Sequence, residues 1–476
     1  MQPQPNQKIY EMPDPGKISA ASGRAPKDLS AFFAKEGVCA LSHAFDAKIA
    51  MHPGTGGNMI EPESMQSHMD LLLASPLKGK TVAYIHVPFC QTHCLYCGFY
   101  NKAYHESDSR LYADALLAEL QMWRERKAVQ STPVHAVYLG GGTPTALEAE
   151  DLKRILEGVR EALPLANDCE ITVEGRLTNF GPRKMEACLE GGANRFSLGV
   201  QSFHTSIRQS MGRLGSREDM ERGLEQLLSY DQAAVIVDLI YGFPNQTLEL
   251  WREDIAVAHS LNLDGADCYQ LNVYRQTPLG RGIEQGKIAP TADIPLQSAM
   301  YAAAVEDMEG AFYRRLSLSH WARTSRERNL YNLYVKASAN CLAFGPGAGG
   351  NLGGHFYMNN SNYAEWQQAV RDGRKPLAFV QSPQRHYFLY RSVAECMEQG
   401  WMDVKGLERR FALPLGQIWE PVLAQWQRAQ LLEWHDGRVV LTLAGQFWQV
   451  NLTQLLLNFL KAMLEEKNVA AAYMAD

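Results

Sequence analysis

Three closely spaced cysteines constrain this 476-residue chain more than any other feature of its sequence. Cys90, Cys94 and Cys97 have three and two residues between them, and they follow an apolar, β-type run that ends at Val87. The other six cysteines lie far apart. A structural zinc site is closed by four ligands, whereas three thiolates on a 4Fe-4S cluster leave one iron open to another ligand. The motif therefore predicts a cluster that takes part in chemistry.

An incomplete zinc knuckle is the alternative interpretation of these cysteines, with His86 or His93 as the fourth ligand. Zinc sites of this kind usually show two paired C-x2-C halves, and no second half lies near the motif. The spacing therefore favours the cluster, but by itself it leaves the zinc site open.

The C-x3-C-x2-C spacing, with Tyr96 just before the last cysteine, resembles the signature of the radical S-adenosylmethionine (SAM) superfamily. The surrounding Tyr-x-His-x-Pro-Phe-Cys, which begins at Tyr84, is similar to the branch around oxygen-independent coproporphyrinogen dehydrogenase. The resemblance implies that Cys90, Cys94 and Cys97 hold a 4Fe-4S cluster and that SAM chelates the fourth iron. It also implies that Tyr96 lies near the adenine and that Tyr84 is a catalytic and cofactor-binding residue.

Composition and charge argue against several classes of partner. The chain has 46 Lys and Arg against 52 Asp and Glu, a net charge of -6, so we expect neither nucleic acid nor an anionic membrane surface as a partner. The N-terminus does not have the pattern of a secretory signal, and no apolar run has the length of a membrane span. Nine cysteines without disulfide-scaffold spacing favour a reducing compartment, and we expect a cytoplasmic protein.

Short apolar runs alternate with longer amphipathic ones from residue 81 to about 275, as in βα units. Such units build a parallel sheet whose functional site lies at the carboxyl ends of the strands. Periodicity leaves open a six-unit partial barrel, an eight-unit barrel and a doubly wound sheet. The resemblance selects an α/β fold with a partial (β/α)6 radical SAM barrel. The predicted strands are 82–87, 134–139, 169–173, 195–200, 235–240 and 267–273, and the predicted helices include 110–127 and 152–163.

We expect four regions in the chain. Residues 1–80 are an N-terminal extension, of which 1–28 are predicted to be flexible because they are rich in Pro, Gly, Ser and Lys. Residues 81–280 form the partial barrel, 281–375 a barrel-closing segment on the substrate side, and 376–476 a helical C-terminal domain. A hairpin around Asp436-Gly437 makes this domain resemble a winged helix. Because it has no basic patch, we expect a lid or packing role.

A glycine-rich stretch ends the second predicted strand as Gly140-Gly141-Gly142-Thr143. Glycines let the backbone approach a ligand closely and expose N–H and C=O groups, although a glycine triplet alone is equally typical of a plain turn. Next to the cysteine motif, this stretch resembles the one that binds the SAM amine, and it is predicted to bind the cofactor.

Four polar residues at or near other strands are predicted to bind the cofactor. Glu174 ends the third strand, where a carboxylate can accept hydrogen bonds from ribose hydroxyls. The resemblance implies SAM contacts for Glu174 and, by motif, for Gln201, Arg213 and Asp238. Asp238 interrupts an apolar strand, so we expect it to pair with a ligand hydroxyl or with Arg213.

The chain departs from two groups of relatives. Haem chaperones usually begin the cysteine motif near the N-terminus and carry a histidine in a second glycine loop, where this chain has Gly349. Coproporphyrinogen dehydrogenase carries a fourth cysteine where this chain has Phe99. The overall length and the C-x3-C-x2-C-Gly-Phe form are similar to the anaerobic haem-degrading ChuW/HutW family, the anaerobilin synthases.

That resemblance implies a reaction. An electron from the reduced cluster cleaves SAM to methionine and a 5'-deoxyadenosyl radical in a water-excluded pocket. A methyl-derived carbon is then transferred to the porphyrin, and the ring opens with release of iron. The implied cofactors are a 4Fe-4S cluster and one or two SAM molecules, the substrate is haem or a related tetrapyrrole, and the electron donor is a low-potential flavodoxin or ferredoxin. The alternatives are coproporphyrinogen III dehydrogenation and a non-catalytic haem chaperone.

A haem substrate invites candidates for an axial ligand and for propionate partners, since carboxylates bind strongly to arginine. The histidine candidates are His86, His320 and His355, and the arginine candidates are Arg275, Arg281 and Arg323.

Overall fold

The computed structural model describes residues 9–10, 28–49, 56–98 and 100–473. Most of the segment predicted to be flexible therefore lies outside the described residues, as does Phe99.

The strands of the described residues form three sheets, of 13, three and two strands. In chain order they are β1 (Gly57–Met59), β2 (Thr81–Val87), β3 (Phe89–Cys90), β4 (Lys102–Ala103), β5 (Val134–Gly141), β6 (Leu165–Gly175), β7 (Arg195–Gln201), β8 (Ala234–Tyr241), β9 (Gly265–Gln270), β10 (Arg314–Arg315), β11 (His320–Ala322), β12 (Asn340–Phe344), β13 (Gly349–Leu352), β14 (His355–Asn359), β15 (Leu377–Pro383), β16 (Trp401–Asp403), β17 (Leu432–His435) and β18 (Arg438–Leu441).

Helices cover the outer face of the large sheet and build most of the C-terminal region. None in the described part of the chain combines the length and apolar character needed to cross a bilayer. They are α1 (Ala40–His43), α2 (Met65–Leu73), α3 (Glu106–Arg124), α4 (Lys127–Gln130), α5 (Ala149–Ala162), α6 (Pro182–Gly191), α7 (Thr205–Ser210), α8 (Arg217–Ser229), α9 (Leu248–Ser260), α10 (Pro278–Glu284), α11 (Ile294–Gly310), α12 (Leu330–Lys336), α13 (Tyr363–Arg371), α14 (Tyr387–Glu398), α15 (Val404–Phe411), α16 (Leu415–Arg428), α17 (Leu443–Phe447) and α18 (Gln449–Tyr473).

Six parallel strands form the centre of the large sheet, in the order β2-β5-β6-β7-β8-β9. They confirm the six predicted βα units and the α/β partial-barrel fold. The sixth strand was predicted to reach residue 273 but ends at Gln270, because the neighbouring β8 ends at Tyr241, the register partner of Gln270. Beyond this point, Val273 O accepts from Tyr10 N.

The large sheet extends beyond the predicted strands on both sides. β12 pairs in parallel with β2, and the antiparallel strands β13, β14, β15 and β1 follow it outward. β11 and β10 are antiparallel additions next to β9. Because Gly57 pairs with Pro383, the N-terminal extension and the first strand of the predicted C-terminal domain share one edge of this sheet. The predicted domain boundaries stay predictions.

The two faces of β2 have different neighbours, as alternation along a strand requires. Ala83, Ile85 and Val87 belong to the main hydrophobic core beneath the helices. Val82 and Tyr84 face inward and pack with α12, which closes the amino-terminal end of the barrel. The carboxyl end is thereby left for the predicted cofactors.

The C-terminal region combines α14–α18 with a three-stranded antiparallel sheet in the order β16-β18-β17. Asp436 and Gly437 both have positive φ, 52° and 79°, in the tight turn between β17 and β18. Such turns suit the twist of a hairpin, so the predicted hairpin is confirmed. Residues 28–49 lie against this region, where the indole N–H groups of Trp426 and Trp448 donate to the backbone oxygens of Phe32 and Ala40.

Glu119 of α3 is a fully buried carboxylate that connects four separate parts of the fold. It accepts hydrogen bonds from Lys375 Nζ at 2.6 Å, Gly345 N at 2.7 Å, and Trp366 Nε1 and Asn359 Nδ2 at 3.0 Å. A buried charge is tolerated only with such partners. Glu119 therefore fixes the loop after β12 against the helical layer.

Replacing Glu119 by Gln should destabilise the fold by about 3–5 kcal/mol, since it leaves Lys375 buried without a counter-charge. The urea midpoint measures this effect. Glu190→Ala is the control, because Glu190 pairs with Lys153 on the surface and its loss should change the midpoint little. Equal midpoints for the two variants would contradict the structural role of Glu119.

Candidate functional site

The three motif cysteines lie in the loop that follows β2 at the carboxyl end of the barrel. Cys90 and Cys94 are buried, and Cys97 is partly buried. Thr143 Oγ1 donates to Cys90 Sγ at 3.4 Å, and Arg213 Nη1 donates to Cys94 Sγ at 3.2 Å. Residues distant in sequence therefore contact the sulfur atoms directly.

Arginines beside the sulfur atoms favour the thiolate form that metal ligation requires. Burial opposes the ionisation of Cys94, but the positive charges of Arg213 and Arg176 outweigh it and lower the pKa of this thiol. At Cys90, burial outweighs Thr143 and Arg176 and raises the pKa. Arg176 Nη2 lies 4.0 Å from Cys90 Sγ, and Arg176 Nη1 also donates to Thr92 in the cysteine loop.

Both histidines of the alternative zinc site have other partners. His86 Nδ1 lies 2.9 Å from Tyr84 OH, and the ring of His93 stacks on Tyr100 with centroids 4.2 Å apart. Within the described ranges, neither histidine is grouped with two of the cysteines in an arrangement that could hold a metal ion.

The glycine-rich stretch forms the turn on which the cysteine loop rests. Gly140 and Gly141 end β5, and Gly141 N donates to Glu174 Oε2 at 3.1 Å. A side chain at Gly142 would place its Cβ 2.4 Å from Phe89 O and 3.1 Å from Cys90 Sγ. Only glycine permits this approach, and the position of Thr143 beside Cys90 depends on it.

Two partly buried carboxyl groups, Glu174 and Asp238, line the inner wall of the barrel. Burial and the nearby Asp238 raise the pKa of Glu174 to about 8. Burial and the neighbouring Asp267 raise the pKa of Asp238 to about 7. Ser197 Oγ lies 3.4 Å from Asp238 Oδ1, whereas Arg213 donates to Cys94 and to Gly199 O. The structure therefore does not show the expected pairing of Asp238 with Arg213.

Two buried polar atoms close to the cysteines lack a hydrogen-bond partner among the described residues, Gln201 Oε1 and Arg213 Nε. Gln201 also has a φ of 74°, a strained backbone conformation for a residue other than glycine. Buried polar groups are rarely left unpaired. These atoms, the thiol donors and the glycine turn are therefore compatible with a bound cluster and a polar ligand.

Of the two tyrosines of the predicted site, Tyr96 belongs to the cysteine loop and Tyr84 to β2. Tyr96 OH accepts a hydrogen bond from Arg213 Nη1 at 3.2 Å, and its ring packs on Phe243. Tyr84 lies on the inner face of β2, where its ring stacks on Tyr138 and burial raises its pKa.

His320 is only 1% exposed and lies in a buried ionic network. Its Nδ1 is 2.7 Å from Asp267 Oδ2 and its Nε2 is 2.9 Å from Glu327 Oε1, while Glu327 also pairs with Arg195. Burial opposes protonation, but Asp267 and Glu327 outweigh it and raise the pKa of His320 to about 9. Because both nitrogens face carboxylates, the expectation of His320 as an axial iron ligand is wrong.

The sequence analysis did not identify this network. The available signal was a charged residue in each of two apolar strands, Arg195 at the start of β7 and Asp267 within β9. Of the other histidine candidates, His86 lies on the inner wall beside Tyr84, and its pKa is lowered to about 4 by burial. His355 packs on His68, with ring centroids 5.1 Å apart.

The structure does not gather the three predicted propionate partners. Arg275 pairs with Glu284 at 2.9 Å, and Arg281 Nη1 donates to Gln276 O at 2.6 Å. Arg323 is exposed, and its backbone N–H bonds to Asp264 O at the amino end of β9, away from the cysteine loop.

Comparison with known proteins identifies the family. Residues 84–258 match the radical SAM superfamily. The chain is also 40% identical over 429 residues to anaerobilin synthase of Escherichia coli O157:H7. The matched region covers 90% of this chain and 94% of that protein. The chain belongs to the radical SAM superfamily. Within it, the chain is a member of the anaerobilin synthase family, and the cofactors of the radical SAM superfamily are a 4Fe-4S cluster and SAM.

Other radical SAM proteins share parts of this chain. The heme chaperone HemW of Bacillus subtilis is 30% identical over 282 residues, covering 58% of this chain and 72% of that one. The structure of coproporphyrinogen III oxidase (HemN) from Escherichia coli superimposes with a TM-score of 0.71 at 20% identity, covering 82% of this chain and 93% of that one. The last likeness concerns the fold alone.

The raised pKa of Glu174 predicts a pH-dependent contribution to stability. The folded protein holds a proton that the unfolded chain, with an ordinary pKa of 4.5, releases. Glu174 therefore stabilises the fold at low pH and loses this contribution as the pH rises through about 8. Urea midpoints of SAM-free protein should fall more steeply between roughly pH 5 and pH 9 for wild type than for Glu174→Gln. Parallel pH profiles would contradict a buried, protonated Glu174.

Proposed function

We propose that this chain is a radical SAM enzyme that degrades haem or a related tetrapyrrole anaerobically, by methyl transfer and ring opening with release of iron. The observation that carries the proposal is the similarity to anaerobilin synthase over 94% of that protein. This similarity extends well beyond residues 84–258, which match the superfamily as a whole.

Different residues at the carboxyl end of the barrel would bind the cluster and SAM. Cys90, Cys94 and Cys97 would hold the cluster. When bound, the cluster and SAM supply the one-electron chemistry and the methyl group. The remaining predicted contacts with SAM are Tyr84, Tyr96, Gly140, Gly141, Gly142, Thr143, Glu174, Gln201, Arg213 and Asp238.

Side chains of the protein prepare this site electrostatically. Arg213 lowers the pKa of Cys94 and orients Tyr96 through the same guanidinium nitrogen. Glu174 retains its proton at neutral pH, because its pKa is about 8, and can both donate and accept hydrogen bonds to ribose hydroxyls. The packed rings of Tyr84, Tyr138 and Tyr331 lie on the amino-terminal side of these residues.

We further propose that the protein is cytoplasmic and that it receives electrons from a low-potential flavodoxin or ferredoxin. None of the nine cysteines, all of which lie in the described ranges, forms a disulfide, which fits a reducing compartment. The proposed reaction needs a strong reductant, and such small redox proteins supply one.

A second candidate is a non-catalytic haem chaperone. The observation in its favour is the 30% identity to heme chaperone HemW, of which the matched region covers 72%. This match covers 58% of the present chain, so anaerobilin synthase accounts for more of the sequence.

The decisive experiment incubates cluster-reconstituted protein anaerobically with haem, a reductant and methyl-deuterated SAM, followed by mass analysis of the tetrapyrrole. The proposal predicts loss of the haem Soret band and a deuterium-labelled linear product. Cys94→Ala, which removes one of the three thiolates, should give neither.

Two results would contradict the proposal. Intact haem together with new 5'-deoxyadenosine would point to a porphyrinogen substrate, which the same assay tests with coproporphyrinogen III and carbon dioxide detection. Intact haem without 5'-deoxyadenosine would favour the chaperone.

A further inference from the structure

A cavity of about 330 Å³ lies beside the barrel, between β13–β15 and the helices α12 and α14. Its size is in the range of small-molecule sites. It has no assigned role in the reaction described above. Its walls include Tyr331, Gly349, Phe356, Phe379, Tyr387 and Arg391.

The walls of this cavity are mainly apolar. A Cβ atom built on Gly349 would lie 3.4 Å from the ring atoms of Phe356, its nearest neighbours. Because glycine has no Cβ, the face of this ring stays open to the cavity. Phe356 and Phe379 lie side by side with ring centroids 5.7 Å apart. Aromatic faces around a glycine strand suit a planar ligand.

One arginine gives the cavity a positive end. Arg391 Nη2 donates to the backbone oxygens of Val335 and Lys336 at the end of α12, and Arg391 Nε has no hydrogen-bond partner among the described residues. No Asp or Glu is among the described residues that line the cavity. Glu395, one turn further along α14, interacts electrostatically with Arg391 but does not line the cavity. An arginine on a cavity wall that carries no acid favours an anionic ligand group such as a carboxylate.

Tyr331 connects the cavity with the proposed cofactor site. It lines the cavity, and its ring lies 4.8 Å from that of Tyr138 and 6.0 Å from that of Tyr84. β13 is two strands from β2 in the sheet, a lateral separation of roughly 10 Å at the usual strand spacing. Through Tyr331, the cavity is one ring contact away from Tyr84, a predicted SAM contact.

We propose that this cavity binds the propionate-bearing edge of the tetrapyrrole. A carboxylate pairs with Arg391, the ring face packs on Phe356 over Gly349, and the opposite edge extends past Tyr331 towards the cofactor site. This assignment deepens the proposed function and rests on it for the identity of the ligand. It also replaces Arg275, Arg281 and Arg323 as propionate partners.

The test compares binding of two probes, iron(III) protoporphyrin IX and its dimethyl ester, by titration of the Soret band. Arg391→Gln should weaken the binding of the free acid about tenfold or more, the usual worth of a hydrogen bond to a charged group. It should leave the affinity for the ester unchanged. Gly349→Val, which suits a strand and fills the cavity, should weaken both probes. Arg385→Gln is the matched control, because Arg385 is exposed and does not line the cavity.

Unchanged affinity for the free acid in Arg391→Gln would overturn the assignment, as would an equal loss for acid and ester. The comparison of the two probes within Arg391→Gln does not depend on Gly349→Val folding correctly. Circular dichroism and iron content verify each variant.

The assignment and the proposed function can fail separately. If the variants change haem affinity as expected but wild type leaves haem intact, the cavity is a haem site and the ring-opening function fails. If wild type opens the ring and Arg391→Gln binds both probes normally, the function stands and the cavity assignment is overturned.

Discussion

The parallel register of the central strands is the constraint on which the rest of this structure depends. It pairs Tyr84 with Tyr138 and Gly199 with Asp238, so that inward-facing residues of neighbouring strands lie at matching heights. The carboxyl ends of these strands are therefore brought to one end of the barrel. The cysteine loop, the glycine turn and the predicted SAM contacts follow those ends and converge there without being close in sequence.

Charged side chains lie inside the barrel at both ends, but their partners differ between the two ends. Towards the amino end, Arg195, Glu327, His320 and Asp267 neutralise one another in a closed network of ion pairs. Such a buried network is costly to break because each removed partner leaves an unpaired charge. At the carboxyl end, Gln201 Oε1 and Arg213 Nε remain without partners among the described residues. The ionic network fills one end of the barrel, and polar atoms at the other end are available to pair with cofactors.

Local sequence patterns predicted those strands and turns whose conformation depends on neighbouring residues. Alternating apolar runs predicted the six parallel strands, and Asp436-Gly437 predicted the hairpin between β17 and β18, because strand periodicity and turn conformation depend on neighbouring residues. Motif spacing likewise indicated that the cysteines, the glycine turn and Glu174 bind cofactors. The structure places all of them at one end of the barrel.

Features that depend on distant pairing were not predictable in this way. The strand Gly57–Met59 pairs with a segment more than 300 residues away, and neither partner has a pattern that specifies the other. The role of His320 depends on Asp267 and Glu327, which approach it only in the folded chain. Asp238 was expected to pair with a ligand hydroxyl or with Arg213, but Arg213 contacts Cys94, and sequence spacing cannot decide between such partners.

The central claim is that three thiolates hold a cluster whose fourth iron is open to SAM. Pulsed electron-nuclear double resonance of the reduced, reconstituted protein tests it most directly, with SAM isotopically labelled in its amine nitrogen. The account predicts hyperfine coupling between the cluster and the labelled nitrogen in wild type. The same coupling should persist in Cys188→Ala, which removes a buried cysteine of α6 that lies outside the site. A fully loaded cluster without this coupling would contradict the account.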